Sequence, residues 1–198
     1  MKTIGLTGGI ASGKSTVAQI LREDLNITVI DADQVSRDVT AKGTPGLAWI
    51  VEAFGPDVLD AAGGLDRAAL RSIVQADRNR RKSLEGITHP LIRQEIEDRL
   101  TALEAAGAAV VVVEAALMIE TGSYQHYDRL VVVTAAPETQ VARLMERSGM
   151  DEEAARQWVD NQMPTADKAA LANVVIENDG ELEALRDRVL GAWSELEF

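Results

Sequence analysis

One octapeptide limits what this chain can become: Gly8-Gly-Ile-Ala-Ser-Gly13-Lys14-Ser15. It follows a short apolar run, Thr3 to Thr7, and opens a helical pattern from Ser15 to Asp24. A strand that passes through glycines into a helix gathers main-chain N–H groups at the positive end of that helix. The spacing is G-x-x-x-x-G-K-[ST], a phosphate-binding loop in its required strand–helix setting. Gly8 and Gly13 allow backbone conformations and close approaches that a Cβ would forbid. The N–H groups of Ala11, Ser12, Gly13, Lys14, Ser15 and Thr16 are expected to line an anion nest. Lys14 supplies a mobile full charge for the β- and γ-phosphates, and Ser15 offers a hydroxyl to Mg²⁺, which takes hard oxygen ligands. A glycine-rich turn carrying a surface lysine is the plainer alternative, and pattern, position and flanking periodicity together argue against it.

Four further β-branched runs follow: Thr28 to Ile30, Ala109 to Val113, Leu130 to Thr134 and Asn173 to Ile176. Without polar alternation they suggest strands buried on both faces, as in a parallel sheet. Helical stretches lie at Pro90 to Ala105, Pro137 to Arg147 and Glu181 to Leu196. The expected fold is α/β, a P-loop NTPase core with a parallel five-stranded sheet, all within a single domain over residues 1–198. Residues 35–88 are too long for a loop. Turn signals at Gly43-Thr-Pro45, Gly55-Pro56 and Gly63-Gly64 break them into short helical patterns. They predict a helical substrate module near residues 35–105. The charged, strandless stretch near 140–168, with Gly149 and Pro164, predicts a helical lid.

Composition narrows the function. The chain has no cysteine, so disulfides, thiolate metal sites and a cysteine nucleophile are excluded. That suits a cytoplasmic setting. There are 20 Lys+Arg against 32 Asp+Glu, a net charge of −12. Such a chain repels polyanions on average, so neither nucleic acid nor an anionic membrane is an expected partner. The longest apolar stretch, Ala108 to Val113, ends at Glu114 and falls far short of a membrane span. The N-terminus lacks the apolar core of a signal peptide.

A phosphate loop implies a nucleotide, not a reaction. No N-K-x-D occurs for reading guanine, and Asp60-Ala-Ala-Gly63 matches D-x-x-G only within a turn. ATP-dependent transfer is the better reading. Asp31 and Asp33 are expected at the carboxyl end of the second strand, where ligands of α/β sheets bind. Strand alternation would send both side chains to one side, and capping of the next helix is the alternative role. Arg143 and Arg147, one turn apart, are candidates to deliver charge when the lid closes, or else form a solvated face with Glu146 or Glu152. The basic run Arg78 to Lys82 reads first as a solvated helical face. His89 precedes Pro90 at an expected helix start, where it meets substrate or fixes the helix entry. Two histidines on different elements make a metal site improbable. Trp49, Trp158 and Trp193 read as packing residues.

Several motifs follow in order: Gly5-Leu-Thr-Gly-Gly-Ile10, Asp31-Ala-Asp33-Gln-Val-Ser-Arg37, Leu65-Asp66-Arg67 and Ile87-Thr-His89-Pro90-Leu-Ile92. Glu120 after Ala116-Leu-Met-Ile, Gln140-Val-Ala-Arg143-Leu and Asn161-Gln162-Met-Pro164 complete the set. From Ile4 to about Gly180 the chain resembles the dephospho-CoA kinases. The resemblance implies ATP-dependent phosphorylation of the ribose 3′-hydroxyl of dephospho-CoA, with Asp33 as general base and Arg143 as lid arginine. It departs from the family at Ala116, where a proline is common, which touches only strand-end geometry. A kinase for another small nucleoside or nucleotide is the rival reading, and an NTP-binding switch without an acceptor is the second.

Overall fold

The computed structural model describes residues 1–196. The chain divides into two compact units, Met1–Ile30 with the chain from Gly107 onward, and Asp31–Ala106. The first unit is built on β1 (Lys2–Gly8), α1 (Lys14–Asp24) and β2 (Thr28–Asp31), the last residue of which opens the second unit. Within the second unit come α2 (Ala32–Val39), α3 (Pro45–Phe54), α4 (Arg67–Ala76) and α5 (Arg78–Ala105). The first unit resumes with β3 (Val110–Glu114), β4 (Arg129–Thr134), α6 (Pro137–Ser148), α7 (Glu152–Asp160), α8 (Thr165–Ala169), β5 (Val174–Glu177) and α9 (Leu182–Glu195).

The strands form one five-stranded sheet in the order β2-β3-β1-β4-β5. β1 runs parallel to both β3 and β4, and β4 parallel to β5. Their β-branched runs are buried: Val111, Val112 and Val113 on β3, and Val131, Val132 and Val133 on β4. Val112, Val131 and Val133 join Ile4, Leu6, Val17, Leu21, Ile176, Leu185 and Val189 in the main core. β1 lies at the centre: the chain leaves it toward β2 on one side, and the later connection from β3 to β4 crosses to its other side. The carboxyl ends of β1, β3 and β4 therefore open at a switch point, the place where α/β sheets take ligands. The expected strands are present, each shifted by a residue or so at its ends.

In the second unit, four helices in succession begin on a side-chain cap. Asp31 caps α2, Thr44 caps α3, Asp66 caps α4 and Asp77 caps α5. Each such cap contributes about 1 kcal/mol by satisfying N–H groups that a helix leaves unpaired. A small core of Ile50, Val58 and Leu70 holds the helices. Arg99 binds Asp38 at 2.7 Å and Glu95 at 2.8 Å, tying α5 to α2. The motif residue Arg67 donates to Thr40 Oγ1 at 2.8 Å.

Three expectations change here. Pro90 does not start a helix: α5 runs unbroken through it for 28 residues. Helix periodicity on both sides outweighs the one missing N–H. Asp33 does not end the strand: β2 stops at Asp31 and Asp33 lies in the first turn of α2, so strand alternation does not govern its direction. Trp193 packs on the main core, but Trp49 and Trp158 are about half exposed and pack less than expected.

Candidate active site

The phosphate loop leaves β1 at Gly8 and enters α1 at Lys14. Gly13 adopts φ 89°, and a Cβ there would stand 2.0 Å from Asn178 Nδ2. No other residue fits that position. Gly8 has no left-handed φ; crowding sets its identity instead, since a Cβ would meet the Val133 carbonyl at 2.5 Å. Ala11 carries the second turn of the loop at φ 54°, a conformation that nothing in its residue type announces. Alternating hands of backbone in this way turn successive N–H groups toward one side.

The six-amide nest is narrower than expected. Ser12 N–H donates to the Gly9 carbonyl at 3.2 Å, and Thr16 N–H to the Gly13 carbonyl at 3.0 Å. The amides of Ala11, Gly13, Lys14 and Ser15 have no partner among the described residues. Ser12 Oγ is buried and also unpaired. The Ser15 side chain is exposed at the first turn of α1, a hard oxygen of the kind Mg²⁺ takes alongside phosphate oxygens and water. Among the described residues no cluster of three carboxylate or imidazole side chains could hold a metal by itself. That donor set fits a cation carried largely by its nucleotide.

Lys14 Nζ lies 2.6 Å from Glu114 Oε1, with both side chains largely buried. Register explains the meeting: Leu6 of β1 pairs with Glu114, so the loop after β1 folds back over the end of β3. Sequence reasoning alone misses two residues at the carboxyl ends of strands. Glu114 is visible in the sequence only as the acid that ends an apolar run. Asn178, just past β5, donates to the Ser12 carbonyl at 2.8 Å and accepts from Arg143 Nη2 at 3.3 Å. The rule that ligands gather at strand carboxyl ends could have found both.

Arg143 also reaches the Ala11 carbonyl at 3.4 Å. It thus lies against the phosphate loop already, rather than waiting at a distance. Arg147 is exposed, and Glu152 pairs with Arg156 instead of with it. Lys168, almost fully buried on α8, binds Glu120 at 2.7 Å, which gives motif residue Glu120 an anchoring contact in the turn after β3. In the second unit, Asp31 accepts from the N–H groups of Asp33 and Gln34, so capping is its role in the fold. Asp33 is exposed, and its carboxylate has no partner among the described residues. His89 is exposed within α5. The basic run lies on the first turns of α5, exposed, with Arg80 donating to the Ala53 carbonyl and covering Phe54.

The family model for dephospho-CoA kinase matches residues 2–184. The chain belongs to the dephospho-CoA kinase family. A dephospho-CoA kinase of Geobacter sulfurreducens is 48% identical over 98% of both chains. Among solved structures, TT1252 from Thermus thermophilus superposes with a TM-score of 0.82 at 34% identity, over 100% of this chain and 98% of that one. The dephospho-CoA kinase from Campylobacter jejuni superposes with 0.75 at 28% identity, over 99% and 98%. The P-loop kinase fold and ATP as co-substrate follow from membership of dephospho-CoA kinases. Among the described residues no helix is long and apolar enough to cross a membrane.

Proposed function

We propose that this chain transfers the γ-phosphoryl group of Mg·ATP to the ribose 3′-hydroxyl of dephospho-CoA, giving coenzyme A and ADP in the cytoplasm. The observation that carries the reading is Lys14 held beside four unpaired amides at the sheet's switch point, in a chain of this family. The amides of Ala11, Gly13, Lys14 and Ser15 bind the β- and γ-phosphates. Those of Ser12 and Thr16, bonded to the Gly9 and Gly13 carbonyls, keep the loop in shape. Lys14 leaves Glu114 for the phosphate oxygens when the nucleotide arrives. The Ser15 hydroxyl would help hold Mg²⁺, which would supply charge neutralisation on the phosphates.

Transfer breaks the bond from the γ-phosphorus to the β–γ bridging oxygen and forms one to the acceptor oxygen. Asp33 takes the proton of the acceptor hydroxyl. Lys14 and Arg143 stabilise charge on the equatorial oxygens, where phosphoryl transfer depends on positioning and electrostatics rather than covalent help. The second unit, close to the expected module at 35–105, binds the CoA moiety, and the α6–α7 hairpin acts as the lid that excludes water. Mixing the protein with Mg·ATP and dephospho-CoA tests this directly. The acceptor should gain the mass of one phosphate. ADP release that ignores dephospho-CoA, or phosphate found on a different nucleoside, overturns the assignment.

A further inference from the structure

Two motif glutamines, Gln140 and Gln162, are left without a task by the phosphate chemistry. Gln140 on α6 donates from Nε2 to the Ile10 carbonyl at 2.7 Å. Gln162, in the turn after α7, accepts at Oε1 from the Ile10 N–H at 2.8 Å. A single residue of the phosphate loop is therefore held on both sides, by the two ends of one helical hairpin. The fit is close. Gln140 is 2% exposed, and a Cβ on Gly9 would lie 2.5 Å from its Nε2. Ile10 and Ala11 also pack against the hairpin's own small core of Val141, Leu144 and Ala155.

Apolar contact alone would leave the peptides flanking Ile10 free to rotate. Two directional bonds to that residue remove the freedom. The next amide along is that of Ala11, whose N–H is one of the four unpaired donors. We infer that Gln140 and Gln162 are positioning residues that lock Ile10, so that the loop's amides face the polyphosphate before it arrives and the hairpin is coupled to the loop's shape. This rests on the reading that the nucleotide occupies the loop.

Polarity makes the inference testable. A carbonyl can be met only by a donor and an N–H only by an acceptor, so the orientation of each amide is set by its partner. Gln162→Glu keeps an acceptor for the Ile10 N–H. Gln140→Met has no hydrogen to offer the Ile10 carbonyl and brings no charge into a buried position. Calorimetric titration with Mg·ATP should show binding at least about tenfold weaker in Gln140→Met than in the parent, the factor expected for one lost bond to a buried group.

Hydrogen exchange of the nucleotide-free protein gives the independent arm. The Ile10 amide should exchange faster in Gln162→Leu and return toward the parent rate in Gln162→Glu. A purely structural role would lower the melting temperature without that rescue. Equal ATP affinities in Gln140→Met and the parent, or an Ile10 amide indifferent to Gln162→Leu, overturns the inference. A parent protein that binds no Mg·ATP instead removes the functional reading, and the exchange comparison still decides whether Gln162 fixes the loop.

Discussion

Replacing Lys14 by alanine removes the one mobile full charge from a loop whose other donors are main-chain amides. In a site closed to water that charge is worth more than at a surface, so turnover should fall by at least about a hundredfold. Steady-state kinetics at saturating Mg·ATP check it, and turnover within a fewfold of the parent contradicts the role. Asp33→Asn keeps the shape of the side chain and loses its basicity. It should lower kcat more than it weakens ATP binding. The reverse pattern makes Asp33 a binding or metal residue. Asp31 behaves differently at the same scale: its oxygen is committed to two N–H groups at the start of α2, so Asp31→Ala should destabilise the protein by about 1 kcal/mol in urea melts.

At the scale of elements, α5 is the case to test. Pro90 sits in its interior and offers no N–H to the Gly86 carbonyl. Pro90→Ala restores that bond and removes the ring, which should raise stability by about 2 kcal/mol, read from the urea midpoint. An unchanged or lower midpoint would mean that packing around the proline outweighs the helix term. The same helix shows where sequence reading ends. Strands were legible because Val111 to Val113 and Val131 to Val133 are buried on both faces, and an unbroken β-branched run has few other uses. The phosphate loop was legible because its chemistry needs Gly13 and Lys14 next to each other. Pro90 misled because local propensity is weak beside the helical pattern on either side of it. Asp33 misled because a difference of two residues in where β2 ends changes the rule that aims a side chain. Glu114, Asn178 and the two glutamines act through partners far along the chain, and no local pattern announces such meetings.

For the molecule as a whole, the alkaline limit is set partly by Tyr127. Its ring lies beside Gly5 of β1, and burial pushes its phenol up to about 12. The native state therefore favours the protonated form. That contribution is complete below the unfolded value near 10 and disappears as pH rises from about 10 through about 12. The gap corresponds to roughly 2–3 kcal/mol. Urea midpoints taken across that range should fall more steeply in the parent than in Tyr127→Phe, and parallel curves would remove Tyr127 from the account. Global charge and the Lys14–Glu114 contact combine in a last effect. An excess of twelve negative charges turns drifting anions away at long range, and the carboxylate at the end of β3 silences the lysine at short range. Sulfate or free phosphate, each offering a single small headgroup, has little with which to displace Glu114. A polyphosphate chain bearing its own cation has much more, so the empty protein should pass through a phosphate-rich cell without being clogged.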